Sequence, residues 1–256
     1  MRFDILTLFP DMCRAVVDES ILGRAQAAGT IEIHTHNIRD YSLDRHRRVD
    51  DYPYSGGPGM VMQVDPVRRA VDAVRAEAGS RGHVIYLSPK GRRFTQQRAR
   101  ELLGCEHLIL LCGHYEGIDE RILELLVDEE ISAGDYVLTG GELPALMVVD
   151  AVARMVPGVL SERESFENES IYTGLLEYPQ YTRPPEYEGL AVPEVLLSGH
   201  HKNIEQWKRR ESLRQTLCKR PDLLEQAQLT QRDREVLEEL IREQREDFDN
   251  SEKKQV

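Results

Sequence analysis

Three glycine-bearing loops are the part of this sequence best suited to bind a ligand. Each follows a short apolar run, and they read Ser88-Pro-Lys-Gly91, Gly113-His-Tyr-Glu-Gly117 and Ser132-Ala-Gly-Asp-Tyr-Val-Leu-Thr-Gly-Gly141. Open α/β sheets bind ligands where strands end in such turns beside the starts of helices. Glycine lets backbone amides and carbonyls approach a compact ligand closely. One such loop would more often simply turn the chain, but three together predict a single pocket assembled from loops.

The usual motifs for phosphate binding, metal-dependent hydrolysis and serine catalysis are absent. No GxGxxG follows the first strand, and GxxxxGK[ST], HExxH and GxSxG do not occur. The carboxylates near the loops lack metal-binding spacing; they are Glu116, Asp119, Asp135, Glu142, Asp150 and Glu169. Scattered carboxylates with an arginine suit group transfer, in which a cofactor carries the reactive group and the protein supplies a base and orientation.

Strands and helices alternate as far as about Gly158, which predicts a mainly parallel sheet covered on both faces. The predicted strands are Phe3–Phe9, Ile31–Ile38, His83–Leu87, Leu108–Cys112 and Asp135–Leu138. The predicted helices are Pro66–Glu77 with Asp65 as its N-cap, Thr95–Leu103 and Asp119–Leu126.

A further predicted helix, Leu143–Val156, is apolar on nearly every side. Such a helix is either deeply buried or shared with another subunit, and we favour a homodimer interface. Asp150 and Arg154 interrupt its apolar surface on one face, four residues apart. They form an intrahelical ion pair or reach a shared site.

The last third of the chain predicts a flexible linker (161–182), a small, mostly helical domain (183–246) and a charged tail (247–256). The helical domain carries a basic island around Trp207, formed by Lys202, Lys208, Arg209, Arg210, Arg214, Lys219 and Arg220. It is either a contact for a nucleic-acid backbone or a solvated helix face. A second basic cluster lies between Arg39 and Arg48.

Composition restricts the class of protein. The chain has 256 residues and a net charge of -12, which argues against a protein whose whole surface binds nucleic acid. Its four cysteines lack CxxC spacing and fit free thiols in a reducing compartment. The sequence shows neither a signal peptide nor an apolar run of membrane-spanning length. We therefore expect a cytoplasmic protein without membrane or DNA partners.

Several motifs together resemble the bacterial tRNA (guanine-N1) methyltransferase family. They occur in order along nearly the whole chain and comprise Tyr52-Pro-Tyr-Ser-Gly-Gly-Pro-Gly-Met60, Tyr86-Leu-Ser-Pro-Lys-Gly91, Cys112-Gly-His-Tyr-Glu-Gly-Ile-Asp-Glu-Arg121, Gly134-Asp-Tyr-Val-Leu-Thr-Gly-Gly-Glu-Leu-Pro144, Leu175-Leu-Glu-Tyr-Pro-Gln-Tyr-Thr-Arg-Pro184 and Pro193-Glu-Val-Leu-Leu-Ser-Gly199.

The resemblance implies a fold and an activity. Members of that family belong to the SPOUT methyltransferases, whose α/β domain is tied in a deep trefoil knot, an exception to the rule that chains avoid knots. They are homodimers, and they transfer a methyl group from S-adenosylmethionine to N1 of guanosine 37 of tRNA when a guanosine precedes it. Magnesium assists them, and the modification suppresses frameshifting.

The resemblance also assigns residues to the site. Those for the cofactor are Tyr86, Leu87, Ser88, Gly113, Tyr115, Glu116, Ala133, Gly134, Asp135, Tyr136, Val137, Leu138, Gly140, Gly141 and Pro144. The family has a bulky apolar residue where this chain has Ala133. Those for the tRNA are Pro58, Gly59, Ser170, Lys202, Lys208, Arg209, Arg210 and Arg214.

For catalysis, the resemblance implies a linker carboxylate as the base and an arginine near guanine O6. Guanine N1 carries a proton at neutral pH, so methylation requires its removal and stabilisation of the charge on O6. Arg154 takes the arginine role, and Glu169 stands where relatives have aspartate. Asp150 and Glu167 are the alternatives for the base.

Two other functions compete with this one. Another SPOUT enzyme would methylate a ribose hydroxyl or ribosomal RNA, and would not need a carboxylate directed at a base edge. A non-catalytic RNA-binding regulator would keep the fold without the chemistry, and glutamate at position 169 is the feature in its favour.

Overall fold

The computed structural model describes residues 1–160, 170–171, 174–225 and 227–253, with side chains as far as Glu246. The chain divides into two compact units, residues 1–163 and residues 164–256. The boundary falls at the start of the predicted linker, 161–182. Residues 161–169 of that linker and the end of the predicted tail lie outside the described residues.

A five-stranded sheet forms the centre of the first unit. Its strands pair in the order β2-β1-β6-β5-β7, and every pair is parallel. They span Arg2–Thr7 (β1), Glu32–Asn37 (β2), His83–Arg93 (β5), His107–Cys112 (β6) and Glu129–Ser132 (β7). Because neighbouring parallel strands end at the same edge, the chain leaving β5, β6 and β7 is brought together there. The predicted parallel sheet is confirmed.

Helices cover this sheet, and a small hairpin lies beside it. The hairpin strands are Asp50–Asp51 (β3) and Val61–Met62 (β4); the helices are Pro10–Val17 (α1), Ser20–Ala27 (α2), Val64–Ala78 (α3), Gln96–Leu102 (α4), Glu120–Leu126 (α5) and Glu142–Ala153 (α6), with a 3-10 turn at Ile38–Tyr41. Thr95 and Asp119 cap α4 and α5 by accepting bonds from the backbone amides of Arg98 and Arg121. Asp65, expected to cap α3, lies within its first turn, since α3 begins at Val64.

One predicted strand is wrong. Residues Asp135–Leu138 form no strand, and the edge strand β7 lies earlier, at Glu129–Ser132. The apolar side chains of the predicted run are exposed, Val137 to 83 %. The run has strand-forming residue types, but it packs against no core and follows β7 as a loop. The loop therefore leaves the sheet from its edge strand, β7.

A buried charge cluster lies on β1. The carboxylate of Asp4 has no exposed surface and accepts hydrogen bonds from Arg2 Nε at 2.7 Å; it also bonds His36 Nε2 at 2.6 Å and His107 Nε2 at 2.7 Å. Burial alone would raise the pKa of Asp4, but the bonds to His107, His36 and Arg2 outweigh it and hold the pKa far below its usual value. Asp4 is therefore charged throughout the neutral range and ties β1 to its two neighbours.

Replacing this carboxylate is expected to destabilise the first unit in a pH-dependent way. We expect Asp4→Asn to lower the free energy of unfolding by about 3–5 kcal/mol at neutral pH, as when one partner of a buried ion pair is lost. Because the folded-state pKa is depressed, the contribution of Asp4 is complete above its unfolded pKa and fades as the pH falls below about 4. Urea unfolding at neutral and acidic pH measures the difference.

The exposed Asp72, paired with Arg68 on the surface of α3, provides the control. Asp72→Asn is expected to change the free energy of unfolding by less than about 1 kcal/mol at either pH. An Asp4→Asn deficit that stays constant from neutral to acidic pH would contradict the assignment of a depressed pKa.

The second unit is mostly helical. It contains the short strands Glu186–Tyr187 (β8) and Leu190–Ala191 (β9) and the helices Glu194–Leu197 (α7), His201–Lys219 (α8), Pro221–Leu224 (α9) and Gln231–Lys253 (α10). Its core consists of Leu175, Leu213, Val236, Leu237 and Leu240. Leu175 belongs to the predicted linker, so the end of that segment packs into the second unit. Within the described ranges, every helix is too short or too polar to span a lipid bilayer.

Candidate functional site

A cavity of about 300 Å³ lies where β5, β6 and β7 end. Its wall is formed by the three glycine-bearing loops and the start of α6. All but one of the residues that the resemblance assigned to the cofactor line it: Tyr86, Leu87, Ser88, Gly113, Tyr115, Glu116, Ala133, Gly134, Tyr136, Val137, Leu138, Gly140, Gly141 and Pro144. The exception is Asp135, whose carboxylate pairs with Arg93.

The glycines are required because the loops touch one another. The amide of Gly141 donates to the carbonyl of Gly113 at 3.0 Å. A methyl group on Gly141 would lie 2.8 Å from Cα of Cys112, and one on Gly113 would lie 2.6 Å from the hydroxyl of Tyr86. Side chains at these positions would fill the space between the loops, which agrees with a cradle for a compact ligand.

The β3–β4 hairpin contacts Glu116, one of the residues that line the cavity. The amide of Glu116 donates to the carbonyl of Met60 at 3.0 Å. Gly59 has a φ of +97°, and a methyl group there would lie 2.5 Å from Cγ of Glu116. Pro58 is exposed on the same loop. Of the two residues assigned to tRNA in this hairpin, Gly59 therefore lies against Glu116, and Pro58 precedes it in the chain.

Carboxylates dominate the charge of the lining. Glu116, Glu120 and Glu130 line the cavity with a single lysine, Lys90. Among the described residues, Oε2 of Glu130 is buried without a hydrogen-bond partner. Burial raises the pKa of Tyr86 to about 12, and the charges of Glu130 and Glu120 add to the effect. The Tyr86 hydroxyl is therefore protonated, and the negative lining favours a ligand that carries positive charge.

Tyr115 holds an uncommon backbone conformation at the cavity mouth. Its φ is +60°, which is the left-handed region, and its side chain is partly exposed. Arg39 Nη2 donates to its hydroxyl at 3.3 Å, and its ring meets the edge of His114 at 5.0 Å. Non-glycine residues in this region cost free energy and often mark functional loops. Arg39 thereby connects the second basic cluster, between Arg39 and Arg48, to the site.

Beside this cavity lies a second one, of about 220 Å³, lined by Phe9, Met12, His114 and Leu143 among others. Glu142 is buried between them and accepts a hydrogen bond from Thr7 Oγ1 at 2.7 Å. Burial and the charge of Glu142 raise the pKa of Cys13 to about 11 and that of Cys112 well above its usual value. Both thiols are protonated at neutral pH, so neither is a ready nucleophile.

Of the residues assigned to catalysis, Arg154 and Asp150 lie among the described residues. Arg154 is partly buried and ends α6, where its amide donates to the carbonyl of Asp150 at 3.1 Å. Asp150 is exposed. Glu169 and its alternative Glu167 lie outside the described residues. Ser170, the next residue, accepts a bond at its Oγ from the amide of Glu177 at 2.9 Å.

The basic island in the second unit is largely engaged in ion pairs. Arg209 binds Asp233 through two 2.8 Å bonds, Arg210 pairs with Glu239 and Glu243, Arg214 contacts Glu243, and Lys208 pairs with Glu205. The arginines hold α8 against α10, and Lys202 is exposed at the start of α8. The basic island therefore has a structural role, pairing α8 with α10, that was not evident from the sequence. Its contact with tRNA stays a prediction.

No fixed metal site accompanies the cavity in the part of the chain that the structure describes. There, no three His, Cys, Asp or Glu side chains come together in a group able to hold a metal ion.

Comparison with known proteins agrees with this geometry. The family model described as tRNA (guanine-1)-methyltransferase TrmD matches residues 1–226. A protein named tRNA (guanine-N(1)-)-methyltransferase from Ruminiclostridium cellulolyticum is 60 % identical over 87 % of this chain and 96 % of its own length. Proteins of the same name from Chloroflexus aggregans and Dictyoglomus turgidum are 61 % and 53 % identical, over 89 % and 96 % of this chain and 89 % and 99 % of their own lengths. The chain belongs to the tRNA (guanine-1)-methyltransferase family.

Proposed function

We propose that this protein transfers a methyl group from S-adenosylmethionine to N1 of guanosine 37 in tRNAs that carry guanosine at position 36, a modification that suppresses frameshifting. The observation that carries the proposal is the cavity at the ends of β5, β6 and β7, whose lining contains the family's motifs. Family membership supports the reaction, and the acidic lining supports a cationic donor.

The described residues fit S-adenosylmethionine. Backbone groups of the Gly113–Gly117 and Ala133–Gly141 loops would hold its adenosine part, because the glycines leave them accessible. Its sulfonium supplies the methyl group, and a negative lining stabilises that charge. The protonated Tyr86 hydroxyl is available as a donor. Magnesium assistance remains part of the proposal.

The protein's own chemistry lies in handling the guanine. Glu169 would remove the N1 proton as N1 becomes nucleophilic, and Arg154 would stabilise the negative charge on O6. Arg154 lies at the end of α6, the helix whose start lines the cavity. Guanosine 37 would leave the stack of its loop to reach the cavity, as base-modifying enzymes require.

We infer that the protein is a cytoplasmic homodimer with a trefoil knot in its first unit. Support for the dimer comes from an exposed apolar face of two neighbouring helices. It consists of Phe9 at the N-cap of α1, Met12 and Val16 on α1, and Leu143 and Met147 on α6. Apolar patches of this kind mark interaction surfaces. The strand order, in which β6 separates β1 from β5, supports the knot.

A charge on this face is expected to separate the subunits. We expect Met147→Glu, at a position 46 % exposed, to convert dimers to monomers at micromolar concentration, because association would bury an unpaired carboxylate. Sedimentation velocity measures the change. Leu125 on α5 is 58 % exposed and lies outside this face, so Leu125→Glu is the matched control and is expected to stay dimeric. Dissociation by both variants, or by neither, would argue against this face as the interface.

The reaction itself is tested with methyl-labelled S-adenosylmethionine and two tRNA transcripts that differ only in guanosine or adenosine at position 37. Label that appears only with guanosine, and maps to N1, is the expected result. Equal labelling of both would instead indicate a ribose hydroxyl or another base. Donor binding without any labelling would indicate a non-catalytic regulator.

A further inference from the structure

An aromatic cluster on the second unit lies outside its apolar core. Trp207 on α8 stands between Tyr178 and Tyr181, with ring centroids 6.3 Å apart in both pairs. None of the three belongs to the buried cluster around Leu213 and Leu237. Tyr181 is 48 % exposed, and Trp207 and Tyr178 are partly exposed. Packing of the core therefore does not account for three aromatic rings at one place on the surface.

The rings meet at steep angles. The planes of Tyr178 and Trp207 cross at 68°, and those of Tyr181 and Trp207 at 52°. Neither pair is a parallel stack, because the Tyr178–Trp207 pair is edge-to-face and the Tyr181–Trp207 pair is tilted. Tyr181, which is 48 % exposed, keeps part of its ring surface open to solvent. The free face of an exposed aromatic ring is the surface on which a nucleobase stacks.

The segment carrying the tyrosines is fixed to α8. Leu175 is buried in the core, and the amide of Leu176 donates to Thr216 Oγ1 at 2.9 Å. The ammonium of Lys208 lies 5.1 Å from the centre of the Tyr178 ring and 2.8 Å from Glu205. The platform is thus held in place before any ligand binds, with a cation at its side. Aromatic faces beside a lysine are the chemistry that single-stranded RNA binders use.

We propose that Trp207 and Tyr181 form a stacking platform for a second unpaired nucleobase of the tRNA, besides the guanosine that is methylated. This inference rests on the proposed function, since it takes tRNA as the substrate. The platform would hold the RNA through a base face, and Lys208 would meet the adjoining phosphate. Stacking tolerates any base, so the platform contributes affinity and fixes the position of the anticodon loop, but it does not select the nucleotide sequence.

Trp207 is the only tryptophan of the chain, so its fluorescence reports on the platform directly. Titration of the full-length protein with tRNA is expected to quench the emission. Abasic substitution of the unpaired anticodon-loop positions, one at a time, is expected to abolish the quenching at one position other than 37. Quenching that survives every abasic substitution, or is absent while tRNA binds, would overturn the inference.

Variants of Tyr181 test the energetic contribution. Tyr181→Ala is expected to raise the Kd for tRNA about 5- to 150-fold, as loss of one stacked base does, while Tyr181→Phe keeps the wild-type value. The slope of log Kd against log salt should stay unchanged, because no charge is lost. Tyr187, 66 % exposed on β8, is the control, and Tyr187→Ala should leave tRNA binding intact.

The two proposals fail differently. If wild-type protein methylates guanosine 37 and Tyr181→Ala has the wild-type Kd and KM for tRNA, the platform is refuted and the enzyme function stands. If wild-type protein binds tRNA with quenching but transfers no methyl group to N1, the proposed function fails and the platform stands. The Kd for S-adenosylmethionine should be the same in wild type and all Tyr181 variants, which excludes damage to the first unit.

Discussion

Glu169→Gln is expected to slow methyl transfer about 10²- to 10⁴-fold, the usual contribution of a general base. Glutamine retains the shape of the side chain but cannot accept the N1 proton, so N1 would have to attack the methyl group of the donor while still protonated and poorly nucleophilic. Donor affinity should not change, because the cavity proposed for the donor is formed by the loops after β5, β6 and β7. Single-turnover rates with saturating tRNA, together with donor binding by calorimetry, measure the two effects separately.

Neighbouring carboxylates provide matched controls for this prediction. Glu167→Gln removes a carboxylate two residues away in the same segment, and Asp150→Asn removes one from the exposed surface of α6. Both are expected to retain most of the rate, whereas Glu169→Asp restores the side chain of the family and should be at least as active as wild type. A large loss in Glu167→Gln with a normal rate in Glu169→Gln would reassign the base. Partial recovery of Glu169→Gln at high pH, where solvent removes the proton, would confirm that a base was lost.

Fold class was predictable because the central strand is apolar over nearly its whole length. Leu108–Cys112 carries no polar residue, which fits a strand covered on both faces, and the structure places β6 in the middle of the sheet. The edge strand was not predictable from the same signal. Glu129 and Glu130 occupy half of β7, because Glu129 meets His83 and Arg98 at the sheet edge and needs no apolar cover. Residues 135–138 have the apolar composition but lie in a loop.

The misplaced edge strand also limits what sequence reveals about the site. Glu130 lines the cavity beside Tyr86 because β7 pairs with β5, with Glu130 opposite Tyr86. Without the correct strand, nothing in the sequence indicates that this carboxylate faces the ligand. The glycine loops, in contrast, were recognisable from local composition alone. That their residues bind the donor stays a prediction.

The ion pairs between α8 and α10 in the second unit could not be predicted from the sequence. Arg209, Arg210 and Arg214 resemble a basic surface in the sequence, because the carboxylates that pair with them lie 24 to 33 residues later, on α10. Arg209 is the main reason that the pKa of Asp233 lies below its usual value, which marks a strong pairing. Such pairings depend on how two helices pack, and the charge count along one helix does not contain that information.

Gly141→Ala is expected to weaken binding of S-adenosylmethionine at least about 10-fold, equivalent to about 1.4 kcal/mol, and to destabilise the first unit by about 1–3 kcal/mol as overpacking does. The backbone of Gly141 has a φ of -84°, which alanine adopts without strain. The difficulty is space, because the new methyl group would lie 2.8 Å from Cα of Cys112 and 3.1 Å from the amide nitrogen of Gly113. Both are backbone atoms, so no side chain can rotate away. Calorimetric titration and urea unfolding measure the two losses.

A glycine-to-alanine substitution remote from the cavity provides the control, because it distinguishes a general loss of stability from a specific loss of donor binding. A methyl group on Gly104 would meet one atom, the carbonyl oxygen of Glu101 at 3.3 Å, so Gly104→Ala should bind the donor with wild-type affinity. Gly141→Ala must instead push the Gly113–Gly117 loop away from the start of α6, breaking the hydrogen bond from Gly141 to Gly113. If Gly141→Ala lost stability but bound the donor normally, the contact between these loops would serve folding alone. We expect Gly141→Ala to lose both stability and donor affinity, because Gly141 lies against two residues with different roles. Cys112 is buried in the core, and Gly113 lines the cavity.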